Sequence, residues 1–117
     1  IAANPEFIFI AGSSWPNVPQ SVRLGYEVDA AATRATLRPY VERPGWPGLA
    51  AVRNGQVFGI QHGLARTLFD YTAMQFIAKQ LYPAQFADVD PEENLRRYHE
   101  RYLPIVYGGV WMLRLAP

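Results

Sequence analysis

The sequence predicts an α/β fold in which helices flank a parallel sheet, and two apolar segments separated by helical patterns carry that prediction. Residues 6–11 (EFIFIA) form a short aromatic and β-branched run that Gly12 ends, which is typical of a strand covered on both faces. Residues 56–60 (QVFGI) form a second such run after an Asn-Gly turn. Strands separated by helices favour parallel pairing. Two strands are too few for such a sheet, so further strands are expected from an upstream segment or a second copy of the chain.

The composition indicates one globular domain without a nucleic-acid surface. The 117 residues suffice for a single core, and half of them are apolar. The net charge is +1, so the basic stripe that neutralises several phosphates is missing and no nucleic-acid partner is expected. The absence of cysteine excludes disulfides, thiolate metal sites and a cysteine nucleophile. No apolar run reaches the roughly 20 residues of a membrane span.

Two helices are predicted between the strands. The first is expected over residues 30–43, with Asp29 as its amino-terminal cap and with Pro39 kinking or ending it. A single short helix with Pro47 in its first turn is expected through residues 49–52. Residues 12–27, before these helices, are rich in turn formers and predict a long loop.

Two more helices are predicted after the second strand. Residues 64–82 are apolar on nearly every side, which indicates a helix buried between other elements that Pro83 stops. The last helix is expected from about 91 to 102, because Asp90 can cap it, Pro91 suits the first helical position and Glu93 the third. A short apolar tail, which carries no predicted element, follows at residues 110–115.

The carboxyl ends of the two strands indicate a candidate binding site, because ligands of parallel α/β sheets bind beyond those ends. The loop after the second strand is expected to lead directly into a helix, whose free amides favour an anion. Together the two loops predict a polar and aromatic rim suited to an anionic or carboxylate-rich ligand. The candidate ligand-binding residues are Ser13, Ser14, Trp15, Arg23, Tyr26, His62 and Arg66.

These candidates also have structural interpretations. Trp15 is equally suited to plug the edge of the core, and His62 has no second ligand at metal-binding spacing, so it suits a hydrogen-bonded structural histidine. Arg66 can pair with Asp70 one helical turn on. The charge cluster at residues 96–101 lies on a predicted amphipathic helix, where a solvated face is expected.

The sequence carries no catalytic motif of the common enzyme classes. It contains no Gly-x-Ser-x-Gly elbow, no phosphate-binding Gly-x-x-x-x-Gly-Lys loop, no Gly-x-Gly-x-x-Gly fingerprint and no His-Glu-x-x-His pair. Ser13, His62 and Asp70 can be drawn as a triad, but three residues chosen from a polar rim do not indicate a nucleophile. No catalytic residue, cofactor or metal site is predicted.

Three segments resemble a family of transport receptors in their order and spacing. Residues 3–12 (ANPEFIFIAG), 43–58 (RPGWPGLAAVRNGQVF) and 77–83 (IAKQLYP) are similar to the C-terminal lobe of substrate-binding proteins of the iron-siderophore, haem and cobalamin ABC-transporter class. Residues 62–71 (HGLARTLFDY) further resemble the branch with molybdate- and tungstate-binding members. The resemblance implies a Rossmann-like lobe of a two-lobed class III binding protein. Residues 1–117 would be the C-terminal part of its C-terminal lobe.

The resemblance implies a periplasmic or extracytoplasmic lipoprotein receptor rather than an enzyme. Such a receptor holds a metal chelate or metal oxyanion (a ferric siderophore, haem, cobalamin, molybdate or tungstate) between its lobes and delivers it to an ABC permease. Its membrane association would occur only through the permease or through a lipid anchor outside this chain. The two candidate loops would face the cleft. The alternative is an unrelated Rossmann-like interaction or nucleotide-binding module.

The beginning of the chain is interpreted as a cut. Residues 1–4 (IAAN) open without Met and without a signal-peptide core, so the natural protein is expected to continue upstream. A lobe cut there would leave a strand edge unpaired. We therefore expect the chain to form a homo-oligomer, with residues 7–9 or 110–115 near the contact.

Overall fold

The structure, a computed structural model, describes residues 3–115. Residues 1 and 2, which belong to the segment interpreted above as a cut end, therefore lie outside the described residues. Its elements in chain order are β1 (Ile8–Gly12), α1 (Ala30–Val41), a 3-10 helix (Trp46–Gly48), α2 (Ala50–Arg53), β2 (Val57–Gln61), a second 3-10 helix (His62–Arg66), α3 (Tyr71–Leu81), α4 (Pro91–Tyr102) and β3 (Met112–Arg114). The described residues form two compact units. The first runs to Gln61 and resumes at Gly109, and the second is His62–Gly108. Among residues 3–115, no helix is long and apolar enough to cross a membrane.

The first unit is built on a three-stranded sheet of order β1-β2-β3. β1 and β2 pair in parallel, and the rings of Phe9 and Phe58, which are register partners, stack with centroids 4.9 Å apart. β3 runs antiparallel to β2 and places Met112 opposite Ile60. The α/β fold is therefore confirmed, but the sheet is mixed rather than wholly parallel. The difference arises because the apolar tail, for which no element was predicted, folds back as β3.

The core of the first unit brings α1, the loop after β1 and the sheet together. Leu37 of α1, Val22 and Leu24 of the loop and Val57 of β2 are each at most 2% exposed and form one apolar cluster. Asp29 caps α1 as predicted, because its side chain accepts a 2.7 Å hydrogen bond from the Ala32 N–H. α1 ends at Val41, two residues before the predicted end.

The single short helix predicted with Pro47 in its first turn is wrong, because the segment divides into two helices. Pro47 lies in the first 3-10 helix, Leu49 is extended with φ −70° and ψ 142°, and α2 begins only at Ala50. The Ala50 N–H donates a 2.9 Å hydrogen bond to the side-chain oxygen of Asn4. The start of α2 is therefore stabilised by a residue distant in sequence.

In the second unit, α3 begins seven residues later than predicted. Residues 62–66 form the second 3-10 helix instead. The hydroxyl of Thr72, the second residue of α3, donates a 2.8 Å hydrogen bond to the carbonyl of Phe69, which lies before the helix. The predicted burial on nearly every side is also wrong, since Phe76 is buried but Met74 is 68% exposed. α3 ends at Leu81, before Pro83, as predicted.

The last helix has the predicted bounds and cap. α4 spans Pro91–Tyr102, and the Asp90 side chain accepts a 3.1 Å hydrogen bond from the Glu93 N–H. The charge cluster on α4 forms a solvated face as expected. Arg96 there pairs with Glu93 and Glu100, each at 2.7 Å, and all three side chains are partly or largely exposed.

Candidate functional site

The loop between β1 and α1 follows the carboxyl end of β1, and two close backbone approaches hold it in place. A Cβ at Gly12 would contact the Val22 carbonyl and lie 2.7 Å from the Val22 Cβ, so a larger residue does not fit there. Gly25 and Val110 exchange two backbone hydrogen bonds of 2.8 and 3.1 Å. The loop is therefore attached to both the end of β1 and the chain that leads into β3.

Helix α1 anchors the middle of the same loop through its threonines. The Arg23 N–H donates a 2.9 Å hydrogen bond to the Thr36 hydroxyl, and the Arg23 carbonyl accepts a 2.8 Å hydrogen bond from the Thr33 hydroxyl. Thr33 is fully buried. The backbone of Arg23 is thus held while its side chain stays exposed.

Ser13, Ser14 and Tyr26 line one cavity of about 410 Å³, which we call the Tyr26 cavity. The Gln61 amide donates a 3.4 Å hydrogen bond to the Ser13 hydroxyl. The Tyr26 ring meets the buried Trp111 ring edge-on at 4.6 Å between centroids, yet Tyr26 remains 37% exposed. The cavity is lined by Ser13, Ser14, Leu24, Gly25, Tyr26, Glu27, Gln61 and Trp111.

The hydroxyl of Tyr26 remains protonated near neutral pH. Burial raises the pKa of Tyr26 above the ordinary tyrosine value of 10.0, because a phenolate would lose part of its hydration there. A protonated phenol is uncharged and has the capacity both to donate and to accept a hydrogen bond.

Trp15 and Arg23 line a second cavity, of about 300 Å³, which we call the Trp15 cavity. It shares Ser14 with the Tyr26 cavity. Trp15 is 40% exposed, so it does not serve only as a plug of the core edge. The structure thus brings five of the seven predicted residues to two cavities on one loop.

His62 and Arg66 occupy the first and last positions of the second 3-10 helix, and both are exposed. They belong to the second unit, whereas the other five candidates belong to the first. The expected helix amino end at these two residues is wrong, because α3 begins at Tyr71. The ion pairs of the described residues lie on α4, and none joins Arg66 to Asp70.

Five of the residues that line the Tyr26 cavity were not among the sequence candidates, and three of these have polar or aromatic side chains: Glu27, Gln61 and Trp111. Gln61 is the last residue of β2, so the rule of carboxyl strand ends was sufficient to find it. Trp111 comes from the tail that carried no predicted element. Within residues 3–115, no group of three or more His, Asp or Glu side chains is arranged to hold a metal ion.

Among known proteins, a solved structure shares the fold of this chain. No family model matches the sequence, and no curated protein matches it significantly. A solved structure, the TroA-like periplasmic binding protein FepB from Veillonella parvula, is 41% identical in sequence, with a TM-score of 0.94 over 98% of this chain. The chain has the fold of a fragment of a TroA-like periplasmic binding protein. It spans 33% of the FepB chain, and FepB is named as a binding protein, not as an enzyme.

Proposed function

We propose that the chain is the C-terminal part of the C-terminal lobe of a solute-binding protein that serves an ABC importer. The observation that supports this most directly is the 41% identity to FepB across 98% of the chain. The proposal includes a location outside the cytoplasm, either free in the periplasm or anchored as a lipoprotein, and an ABC permease as partner. The protein binds and releases its ligand and carries out no reaction on it.

The proposed ligand is a metal chelate or a metal oxyanion: a ferric siderophore, haem, cobalamin, molybdate or tungstate. The half-exposed rings of Trp15 and Tyr26 offer apolar surface to an organic chelator. The exposed guanidinium of Arg66 offers paired hydrogen-bond donors to an anionic group. The proposal of molybdate and tungstate as ligands rests only on the sequence resemblance of residues 62–71. The proposed ligand-binding residues are Ser13, Ser14, Trp15, Arg23, Tyr26, His62 and Arg66.

Isothermal titration calorimetry on the complete gene product tests this proposal. The titrants are a ferric siderophore, haem, cobalamin, molybdate and tungstate, with ATP and NAD added for the nucleotide-binding alternative. We expect saturable binding of at least one metal complex, no nucleotide binding and no turnover. Binding of a nucleotide without any metal complex would instead support the unrelated Rossmann-like module.

The variant Arg66→Ala tests one proposed contact. We expect its affinity for the metal complex to fall about 10- to 100-fold, since a hydrogen bond to a charged group contributes roughly 1.5–3 kcal/mol. Arg38→Ala, on the exposed side of α1, is the matched control and should bind as the wild type does. Equal affinity of both variants would remove Arg66 from the site.

We further propose that the 117-residue chain alone forms a homo-oligomer through the outer edge of β1. Among the described strands, β1 has β2 as its one neighbour, and residues 7–10 are only partly buried. Unpaired strand edges recruit other strands. β3 is the other edge strand of the described sheet, but its three residues offer a shorter edge than the five residues of β1. Sedimentation velocity at micromolar concentration should show a dimer or larger species, and a monodisperse monomer would contradict this.

A further inference from the structure

The Tyr26 cavity does not have the charge that the predicted anion-binding rim requires. Of the described residues that line it, one is charged, and that residue is Glu27. The remaining polar lining consists of the Ser13 and Ser14 hydroxyls, the Gln61 amide and the Tyr26 phenol. No Arg, Lys or His is among the described lining residues. An anionic group placed here would meet a carboxylate and find no cation to balance its charge.

The aromatic wall of this cavity is suited to a planar group. Trp111 is only 6% exposed and packs at 86° to the Tyr26 ring, which restricts the movement of that ring. Tyr26 itself is 37% exposed. An aromatic ring that is already positioned loses little conformational freedom when a planar group stacks on it. A cation above such a ring is also favoured, and a nearby carboxylate adds to that preference.

Two polar groups of the lining allow hydrogen bonds to an uncharged ligand. The Gln61 amide and the Ser13 hydroxyl lie within 3.4 Å of each other and form a weak mutual hydrogen bond. Both groups can also accept hydrogen bonds, and neither carries a charge. They therefore suit the amide, hydroxyl or ring-nitrogen edge of an organic group, which offers donors as well as acceptors. An oxyanion offers acceptors only, and here it would also lie in the same cavity as the Glu27 carboxylate.

We propose that the Tyr26 cavity binds a neutral or cationic planar organic group of the ligand and that the Glu27 carboxylate disfavours anionic groups there. This inference rests on the proposed function and narrows it to a chelate whose organic part is recognised. Anionic groups of the same ligand fit the Trp15 cavity, where Arg23 lies. A small oxyanion, which has no planar organic part, is a poor occupant of the Tyr26 cavity.

The test compares uncharged and anionic probes in calorimetric titrations of the complete gene product. The uncharged probes are cyanocobalamin, whose corrin ring is planar and carries amides, and a ferric trihydroxamate. The anionic probes are a ferric tris-catecholate and molybdate. We expect the tightest binding to come from an uncharged probe. We expect Glu27→Gln to raise the affinity for the anionic probes about 3- to 10-fold, as removal of one partly screened like charge does, and not to raise it for the uncharged ones.

Matched variants separate these effects from general damage to the site. Glu42→Gln removes an exposed carboxylate just after α1 that lines neither cavity, and it should leave all affinities unchanged. Tyr26→Phe keeps the ring and should retain binding within about 3-fold, whereas Tyr26→Leu should lose about 10-fold, the loss expected for a stacking contact. Far-ultraviolet circular dichroism of each variant establishes that the fold is retained.

The outcomes distinguish this inference from the proposed function. If none of the metal complexes binds, the proposed function fails and the inference fails with it. If an anionic probe binds most tightly and Glu27→Gln leaves its affinity unchanged, the receptor function stands and the inference is overturned. Equal binding by wild type, Tyr26→Phe and Tyr26→Leu would also overturn it.

Discussion

Replacement of Gly109 by alanine should strongly destabilise the first unit. Gly109 has a φ of +81°, a conformation that residues with a Cβ rarely adopt. An added Cβ would contact the Gly25 carbonyl oxygen and lie 2.6 Å from the Tyr26 carbonyl. These are backbone atoms, so no side-chain rotation relieves the clash. The two hydrogen bonds between Gly25 and Val110 therefore have to lengthen or break.

The magnitude follows from two contributions. The left-handed conformation costs a residue with a Cβ roughly 1–2 kcal/mol, and each lost backbone hydrogen bond costs about 0.5–1.5 kcal/mol. We therefore expect Gly109→Ala to lower the free energy of unfolding by about 2–5 kcal/mol. Because Tyr26 and Trp111 flank the Gly25–Val110 bridge in sequence, ligand affinity at the Tyr26 cavity should fall as well.

Urea unfolding followed by tryptophan fluorescence measures this loss in the first unit. The three tryptophans of the chain, Trp15, Trp46 and Trp111, all belong to that unit. Gly48→Ala is the matched control, because nothing lies within 4 Å of its added Cβ, and it should change stability by less than about 0.5 kcal/mol. If Gly109→Ala also changes the free energy of unfolding by less than about 0.5 kcal/mol, the argument from backbone contact is wrong.

Two further predictions concern α4 in the second unit. Asp90→Ala removes the cap hydrogen bond to the Glu93 N–H and should lower the free energy of unfolding by about 0.5–2 kcal/mol in thermal melts, whereas the exposed Asp88→Ala should cost less. Hydrogen bonds from Arg96 lower the pKa of Glu93 from 4.5 to about 2. The contribution of ionised Glu93 to the stability of the fold is therefore complete above the pKa of the unfolded chain, and it is lost as the pH falls toward 2. A nuclear magnetic resonance titration should find Glu93 still ionised at about pH 3, and Arg96→Met should return its pKa toward 4.5.

Elements whose ends depend on neighbouring residues could be predicted from the sequence. The start of α4 was found because Asp90, Pro91 and Glu93 follow one another in the order that a helix start requires. The start of α1 was found in the same way from Asp29, and both cap hydrogen bonds are present. In these segments the groups that satisfy the free amides lie within three residues of them. The local sequence therefore contains the whole interaction.

Elements that depend on distant residues could not be predicted. β3 exists only because the tail pairs with β2, more than fifty residues earlier in the chain. The start of α2 relies on a hydrogen bond to Asn4. Asn4 lies 46 residues before Ala50, so the sequence around α2 contains no signal of this contact. The late start of α3 follows from hydroxyl groups that bond nearby carbonyls. Thr67 donates to Leu64 and thereby favours a tight turn where the apolar pattern predicts a helix.

The candidate site shows the same division between local and distant information. The rule of carboxyl strand ends placed the loop after β1 at the site, and five candidates on that loop do line cavities. The expected preference for anions came from the predicted helix amino end beside His62 and Arg66, with the residues of the β1 loop grouped into the same rim. In the structure Arg23 lines one cavity and Glu27 the other, although only three residues separate them from each other in the chain. The bridge between Gly25 and Val110 lies between those two positions, and it also brings Trp111 to the wall of the Tyr26 cavity. On our proposal, the charge selectivity of the Tyr26 cavity depends on a contact between residues 85 positions apart, and the residue types of the loop alone do not predict such a contact.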